Sequence, residues 1–346
     1  MNSNLVCLCS DFHFGVKKNS EIYFRNQKNF IVNQFVPYLK ENKIKRIFIL
    51  GDVFDNRSSI NTKIQNEVFN IFNDYFKDFE IFILVGNHDC YFNSTINVNS
   101  IKFLGKFENI TIVEENMIIE NNGKKILLTP WIVNFSDFID YISDKEFDVS
   151  FGHYNVKGFH YNKYKTSEDG LDGSLFGNKC KKVFSGHFHI RSKQTFKDCE
   201  IIYIGSPYQI TRNDRDEERG FVILNTDDLT YEHIDNTISM KFIKLQFPQK
   251  FTRQLINGNI IDVHVKYDKN YSEEKVDKYI KRIIEYQPAF EPVIAIETDD
   301  MLNAGLDLNL NLRSIPDLIR EYIDTIEMRN KDDVYQILID LYDETK

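Results

Sequence analysis

The chain has 346 residues, with 43 Lys and Arg against 52 Asp and Glu, for a formal net charge of −9. That balance excludes a protein that coats nucleic acid by bulk positive charge and leaves only a local basic rim for such contacts. No apolar run approaches the roughly 20 residues of a membrane-spanning helix, the first residues lack a secretory signal, and five cysteines in no metal-finger spacing suit a reducing compartment; a soluble, cytoplasmic, globular protein is expected.

A hydrophobic fraction of 42%, with 29 Phe and 18 Tyr, can build a large core. Cores rarely grow much beyond about 250 residues before the chain splits, so a second, smaller unit is expected. In chain order, LVCLC (5–9) reads as a strand and ends in SDFHFG, IKRIFIL (44–50) ends in GDVFDNR, and FEIFILV (79–85) ends in GNHD. Between them, 19–41 and 60–77 have helical spacing, the latter through Ile64, Val68, Ile71, Phe72 and Tyr75. Strand and helix alternate, the pattern of a sheet with parallel strands and helical crossovers.

Farther on, ITIVEE, MIIENNGKKILLTPW, FDVSFG, KKVFSG, CEIIYIG and GFVILNTDDLTYEHI read as strands, and Asn122-Gly123 is a type I′ hairpin turn. The expected fold class is α/β (α+β), a mixed two-sheet sandwich flanked by helices over residues 1–236. A small β-α-β unit at 237–300 follows: IIDVHVKYD, then SEEKVDKYIKRII with Ser272 as N-cap and Glu273 and Glu274 in the first turn, then EPVIAIE. Residues 301–346 read as the loose stretch DDMLNAGLDLNLN and two helices. One carries Leu318, Ile319, Tyr322, Ile323 and Ile326 on a stripe, the other Val334, Ile337, Leu338 and Leu341. By themselves such stripes are more often covered by the chain's own core than by a partner.

Ligands are expected beyond the carboxyl ends of strands in such a sheet. Asp11 and His13 stand there after the first strand, Asp52 after the second, Asn87 and His88 after the third. His153 follows VSFG, and His187 and His189 follow VFSG, so that five of the eight histidines fall in these clusters. Singly, each motif is compatible with a capping loop or a packed histidine; together and in order they are not. Mixed Asp/Asn/His donors suit Mn²⁺, Fe²⁺ or Zn²⁺ better than an all-oxygen cage does. In extended backbone, residues i and i+2 share a face, so His187 and His189 can serve two ions about 3.5–4 Å apart, with Asp52 bridging through its two oxygens.

The ordered set D-x-H, GD-x-x-D, GNHD, GH and GH-x-H resembles the calcineurin-like metallophosphoesterases. Within that superfamily GDVFDNR, GNHD, GHFH and YIGSPYQITRNDRDEERGF (203–221) resemble the break-processing nucleases of the SbcD and Mre-eleven type, the recombination endonucleases of T-even phages among them, over roughly residues 5–235. The resemblance implies a metallophosphoesterase sandwich holding one ion on Asp11, His13, Asp52 and His189 and the other on Asp52, Asn87, His153 and His187. The ions implied are two Mn²⁺, with Mg²⁺, Fe²⁺ or Zn²⁺ as alternatives. His88 matches the family's catalytic histidine, and Asp55 the aspartate that orients it in related phosphatases; the cellular break-repair enzymes often have histidine at that position.

The resemblance further implies a DNA exonuclease and endonuclease of repair and recombination that hydrolyses phosphodiester bonds with a metal-bridged hydroxide. The β-α-β unit becomes a DNA-facing cap. The C-terminal helices become the docking segment for an SbcC-like SMC-family ATPase large subunit, in a homodimer within a heterotetramer. Lys157, Lys163 and Lys165, interleaved with Tyr154, Phe159, Tyr161 and Tyr164, have the composition of a DNA-end channel, although a solvated loop with its aromatics tucked in would read the same. Lys17 and Lys18, with Arg25 and Lys28, make a second basic cluster. Two rivals stay open: another phosphoesterase (a phosphatase or nucleotide phosphodiesterase), where DNR and GNHD weigh against a protein phosphatase, and a non-catalytic scaffold, against which the complete ligand set weighs.

Overall fold

Strands whose residues are apolar on both faces need cover on both sides, which parallel sheets flanked by helices provide. In the computed structural model, which describes residues 4–162, 165–266, 272–297, 323 and 330–343, Leu5–Cys9, Arg46–Ile49, Glu80–Leu84 and Ile110–Val113 pair in parallel in that order. Gly220–Asn225 and Tyr231–Asp235 extend this sheet antiparallel from the Leu5–Cys9 side to make six strands. A second six-stranded sheet has Lys124–Thr129, Val149–Gly152, Lys182–Ser185 and Cys199–Tyr203 in parallel, with Met117–Asn121 and Ser192–Phe196 antiparallel at its edges. Asn122 (φ 51°) and Gly123 (φ 78°) turn the first hairpin of that sheet, as a type I′ turn requires.

The two sheets face each other. Val6, Leu8, Phe48, Leu50 and Leu84 from one and Ile126, Leu128, Phe151, Phe184 and Ile202 from the other form the layer between them. Phe48 is its centre: its ring stacks on Phe82 at 5.2 Å and meets Phe151 edge-on at 4.9 Å. The opposite face of the first sheet packs on helices Glu21–Phe30 and Thr62–Tyr75. Asn61 caps the second of these by accepting from the N–H of Lys63 (2.9 Å) and Ile64 (3.3 Å). The outer face of the second sheet packs on helix Phe135–Ser143. The sandwich expected from the sequence is the one the chain forms.

The helix expected over 19–41 is interrupted. A π-helical turn, Ile31–Phe35, separates Glu21–Phe30 from Val36–Glu41. Pro37 has no N–H to give the carbonyl of Asn33 and its ring crowds that carbonyl, so the ladder shifts by a residue. The sequence reading also lacked helix Phe135–Ser143, the hairpin of Cys90–Phe92 and Thr95–Asn99, and strand Phe242–Gln246. That last strand joins Ile260–Lys266 and Val293–Glu297 in a third, all-parallel sheet, covered by helix Glu273–Glu285. Ser272 stands at the N-cap of this helix, but it is its backbone carbonyl that accepts from Lys275 (3.0 Å). Arg212 ties the third sheet to the sandwich through Asp262 (2.9 Å), and Tyr23 meets Phe290 at 5.9 Å.

Of the C-terminal stripes, Leu318, Ile319, Tyr322 and Ile326 lie outside the described residues. Ile323 is only 1% exposed, so this side chain is covered by its own chain rather than left for a partner. Ile337 and Leu338 lie on helix Lys331–Asp343 and are 58% and 37% exposed; Leu341 belongs to the same helix.

Because Phe48 fills the layer between the sheets, Phe48→Ala should cost about 3–5 kcal/mol in guanidinium unfolding. A loss under about 1 kcal/mol would show that the sheets do not depend on this contact.

Candidate metal centre

The parallel strands of both sheets end at one edge, and the residues that follow them converge there. Asp11 and His13, Asp52, and Asn87 and His88 come from the first sheet; His153, His187 and His189 come from the second. The chain turns sharply at these points: Asp11 (φ 57°), His13 (φ 48°), Asp52 (φ 54°) and His187 (φ 87°) all adopt left-handed backbone, a costly state for non-glycine residues that clusters at functional sites. Two glycines make room for the ligands. A Cβ on Gly51 (φ 99°) would stand 2.3 Å from His153 Nδ1, and one on Gly86 would stand 2.2 Å from Asp52 Oδ1.

Three groups of donors result, one of them His13, Asp55 and His88, and the other two carry the expected ligands. Asp11, His13 and His189 offer atoms within 4.8 Å of one another, and so do Asp52, His153 and His187. His13 Nε2 and His189 Nε2 approach to 3.0 Å, while Asn87 Oδ1 lies 2.9 Å from both His153 Nε2 and His187 Nδ1. Asp52 faces both groups with one oxygen: Oδ2 is 3.8 Å from His13 Nε2 and 3.4 Å from His153 Nε2. Its Oδ1 accepts from the backbone N–H of His88 (2.8 Å).

Charge follows from burial. Burial pushes the Asp52 carboxyl up, but the imidazoles of His153, His13 and His88 outweigh it and hold the group well below the usual carboxylate range. Burial likewise opposes a charge on His153, yet Asp52 and Asp11 raise it to about 9. His187 is pushed down to about 3 by burial and the neighbouring His153, and burial with His13 and Arg219 nearby also lowers His189. The site therefore draws positive charge between two buried carboxylates while keeping neutral imidazole donors at its rim, a donor set that divalent cations fit. The outer contacts fit as well: His153 donates its Nδ1–H to the Leu50 carbonyl (2.6 Å), which points its Nε2 inward, and Asp55 Oδ1 stands 3.3 Å from His13 Nδ1.

Two assignments change. The Asp55 carboxylate lies against His13, and it is the Asp55 backbone carbonyl that accepts from His88 Nδ1–H (2.7 Å). The aromatic half of the expected DNA channel is largely core, since Tyr154 and Phe159 are buried against the second sheet; Tyr161, 36% exposed, reaches the His187 and Phe188 rings. Lys157 is exposed, Lys163 lies outside the described residues, and Lys165 belongs to the short strand Lys165–Thr166. Lys17 and Lys18 are exposed on a left-handed turn four and five residues beyond His13, whereas Arg25 pairs with Glu21 (2.9 Å) and Lys28 with Glu67 (2.8 Å).

Sequence reasoning missed two residues. Asp89, wholly buried, accepts from the backbone N–H of Asp52 and Gly86 with Oδ2 (both 3.0 Å) and from Val53 and Phe54 with Oδ1 (3.1 and 3.2 Å), clamping two ligand loops together. Burial and the nearby Asp52 charge push its carboxyl up to about 7 against these four donors. It is the last letter of GNHD, the one signal that pointed to it. Trp131 is the second: its ring stands 5.1 Å from that of His187 and 6.0 Å from that of His153.

With this geometry in hand, comparison with known proteins gives the class. Residues 5–191 match the calcineurin-like phosphoesterase family, and the chain belongs to it. It is a metal-dependent phosphodiester hydrolase, of a fold that implies divalent ions. It is similar to "Exonuclease subunit 1" of Enterobacteria phage T4, 26% identical over 325 residues that cover 91% of each chain. It is also similar to "Putative phosphoesterase 078R" of Invertebrate iridescent virus 3, 28% identical over 219 residues, covering 60% of this chain and 58% of that one. Among solved structures, an archaeal phosphodiesterase aligns with 67% of this chain and 99% of its own at 13% identity, with a TM-score of 0.38.

Asp89→Asn replaces half of a four-fold acceptor with a donor. It should lower stability by about 1–3 kcal/mol and reduce metal content below that of the parent in elemental analysis of folded protein. Parental metal loading would mean that the clamp does not hold the centre.

Proposed function

We propose that the chain is a two-metal DNA nuclease, with exonuclease and endonuclease action, working in recombination and double-strand-break repair. The observation that carries this reading is a complete ligand set at the meeting edge of two sheets, in a chain that aligns along nine-tenths of its length with an exonuclease subunit. The scaffold reading has no support in a missing ligand.

Asp11, His13, Asp52 and His189 would hold one ion and Asp52, Asn87, His153 and His187 the other, Mn²⁺ for preference and Mg²⁺, Fe²⁺ or Zn²⁺ otherwise. Ions bound there supply Lewis acidity that activates water and neutralises phosphate charge. The chain's own groups do the rest. A carbonyl only accepts, so His88 bonded to Asp55 O carries its proton on Nδ1 and has Nε2 free to bear the proton that goes to the leaving oxygen. Asp55, through its carboxylate, orients His13. Lys17, Lys18 and Lys157, and Lys163 and Lys165 with them, would take the DNA backbone.

The unit built on the third sheet would act as the cap. Ile337 and Leu338, exposed on the last helix, support a docking segment for an SbcC-like ATPase subunit, with two copies of each chain in the complex. Among the described residues no helix is long and apolar enough to cross a membrane; the proposed place of work is the cytoplasm, the host's if the source is viral.

His88→Ala should keep its metal content and lose roughly 10²–10⁴-fold in turnover. The assay is Mn²⁺-dependent digestion of end-labelled linear duplex DNA beside a phosphoprotein and a cyclic nucleotide; preference for either rival substrate, or parental turnover in the variant, would overturn the reading. Deleting 306–346 should abolish co-purification with the ATPase subunit and spare metal-dependent cleavage, and retained association would remove the docking role.

A further inference from the structure

A cleft of about 740 Å³ opens between the hairpin of Cys90–Phe92 and Thr95–Asn99 and the helix Phe135–Ser143, and Trp131 lines it. The same indole is the wall of the metal centre, in ring contact with His187 and His153. Its position is tied to the ligand loop, because the Trp131 backbone N–H donates to the Val85 carbonyl (2.7 Å), two residues ahead of Asn87. A group lying on this ring is therefore held at a fixed offset from a phosphate bound at the ions.

The other walls say what that group is. Among the described residues no Lys or Arg lines the cleft, whereas Glu114, Glu115 and Asp137 do, so a phosphate is not drawn into it. Glu114 already holds Lys102 (3.1 Å) and Asn99 (2.7 Å), which leaves Glu115 and Asp137 as the carboxylates not spoken for by those partners. Asn116, also in the wall, buries its Oδ1 without a donor among the described residues. The lining thus combines an aromatic face with acceptors and no cation. That suits a flat, neutral ring with amino donors on its edge.

Resting on the reading of DNA as substrate, we propose that this cleft is a nucleobase subsite. The base of the nucleotide next to the scissile phosphate leaves its neighbours and stacks on Trp131, with its amino edge towards Asn116, Glu115 and Asp137. A paired base cannot enter, so the strand being cut must be unpaired at that nucleotide, and single strands or frayed ends are preferred to closed duplex.

Trp131 is the only tryptophan in the chain, so its emission reports this site directly. In metal-free protein, a short single-stranded oligonucleotide should quench that emission, and an abasic oligonucleotide of the same length should not. Equal quenching by the two, or none by either, would overturn the subsite. In the metal-loaded enzyme, an abasic residue beside the scissile phosphate should lower kcat/KM by roughly 10-fold or more, and Trp131→Leu should lower cleavage of the normal strand to the abasic level. Equal cleavage of both strands by the parental chain sinks the subsite without any variant having to fold. Base-dependent quenching in a chain that hydrolyses bis(p-nitrophenyl) phosphate but not DNA would sink the nuclease reading and leave the subsite standing.

Discussion

A carboxylate that is 1% exposed keeps its charge only where positive charge meets it, and Asp52 is where this chain concentrates that demand. Three imidazoles from three different loops answer it, and the single oxygen Oδ2 facing both donor groups joins them into one centre. Asp89, a few residues after the third strand, meets burial by another route, and its carboxyl is pushed up where that of Asp52 is held down. It is buried too, but it is met by four backbone N–H groups instead of cations, and through them it fixes the loop that carries Asp52. One buried acid gathers the charge and the other sets the backbone that presents it.

The loops at the ends of apolar runs were legible because a ligand needs a fixed place, and the end of a buried strand followed by glycine provides one. Asp11, His13, Asp52, Asn87, His153, His187 and His189 all stood in that position in the text, and the fold brings them to one edge. What was not legible depended on partners far away in sequence. The value of Asp89 lies in N–H groups of residues 52–54, and the carboxylate of Asp55 turns to His13 rather than His88. For Tyr154 and Phe159 the sequence left both readings open, because aromatic residues among lysines look the same in a nucleic-acid groove and in a core. Here the Tyr154 hydroxyl lies 2.7 Å from Ser150 Oγ and its ring occupies the space a side chain on Gly152 would take. Helix Phe135–Ser143 was hidden by its brevity, although Asn134, which accepts from Ser136 N–H, was a readable cap.

The acidic total of the chain is reflected around the centre. Of the basic residues near the first ligand loop, Arg25 and Lys28 are held by Glu21 and Glu67, and Lys63 also lies 3.3 Å from Glu21. Lys17 and Lys18 stand apart from these pairs because the backbone turns left-handed at both, an arrangement that costs of order 1 kcal/mol per residue. What these pairs leave of the basic residues beside the first ligand loop is a thin rim.

The order in which the sheets are completed has its own outcome. The first sheet supplies Asp11, Asp52 and Asn87 early, but its edge strands come from 220–235, and the imidazoles of the second sheet arrive only with residues 153 to 189. During synthesis a growing chain holds both halves of the centre only once residue 189 has been made, and its first sheet is completed only with residues 220–235. The donors of the centre thus come together only after the first half of the chain has been made, and any shorter product lacks the imidazoles of His187 and His189.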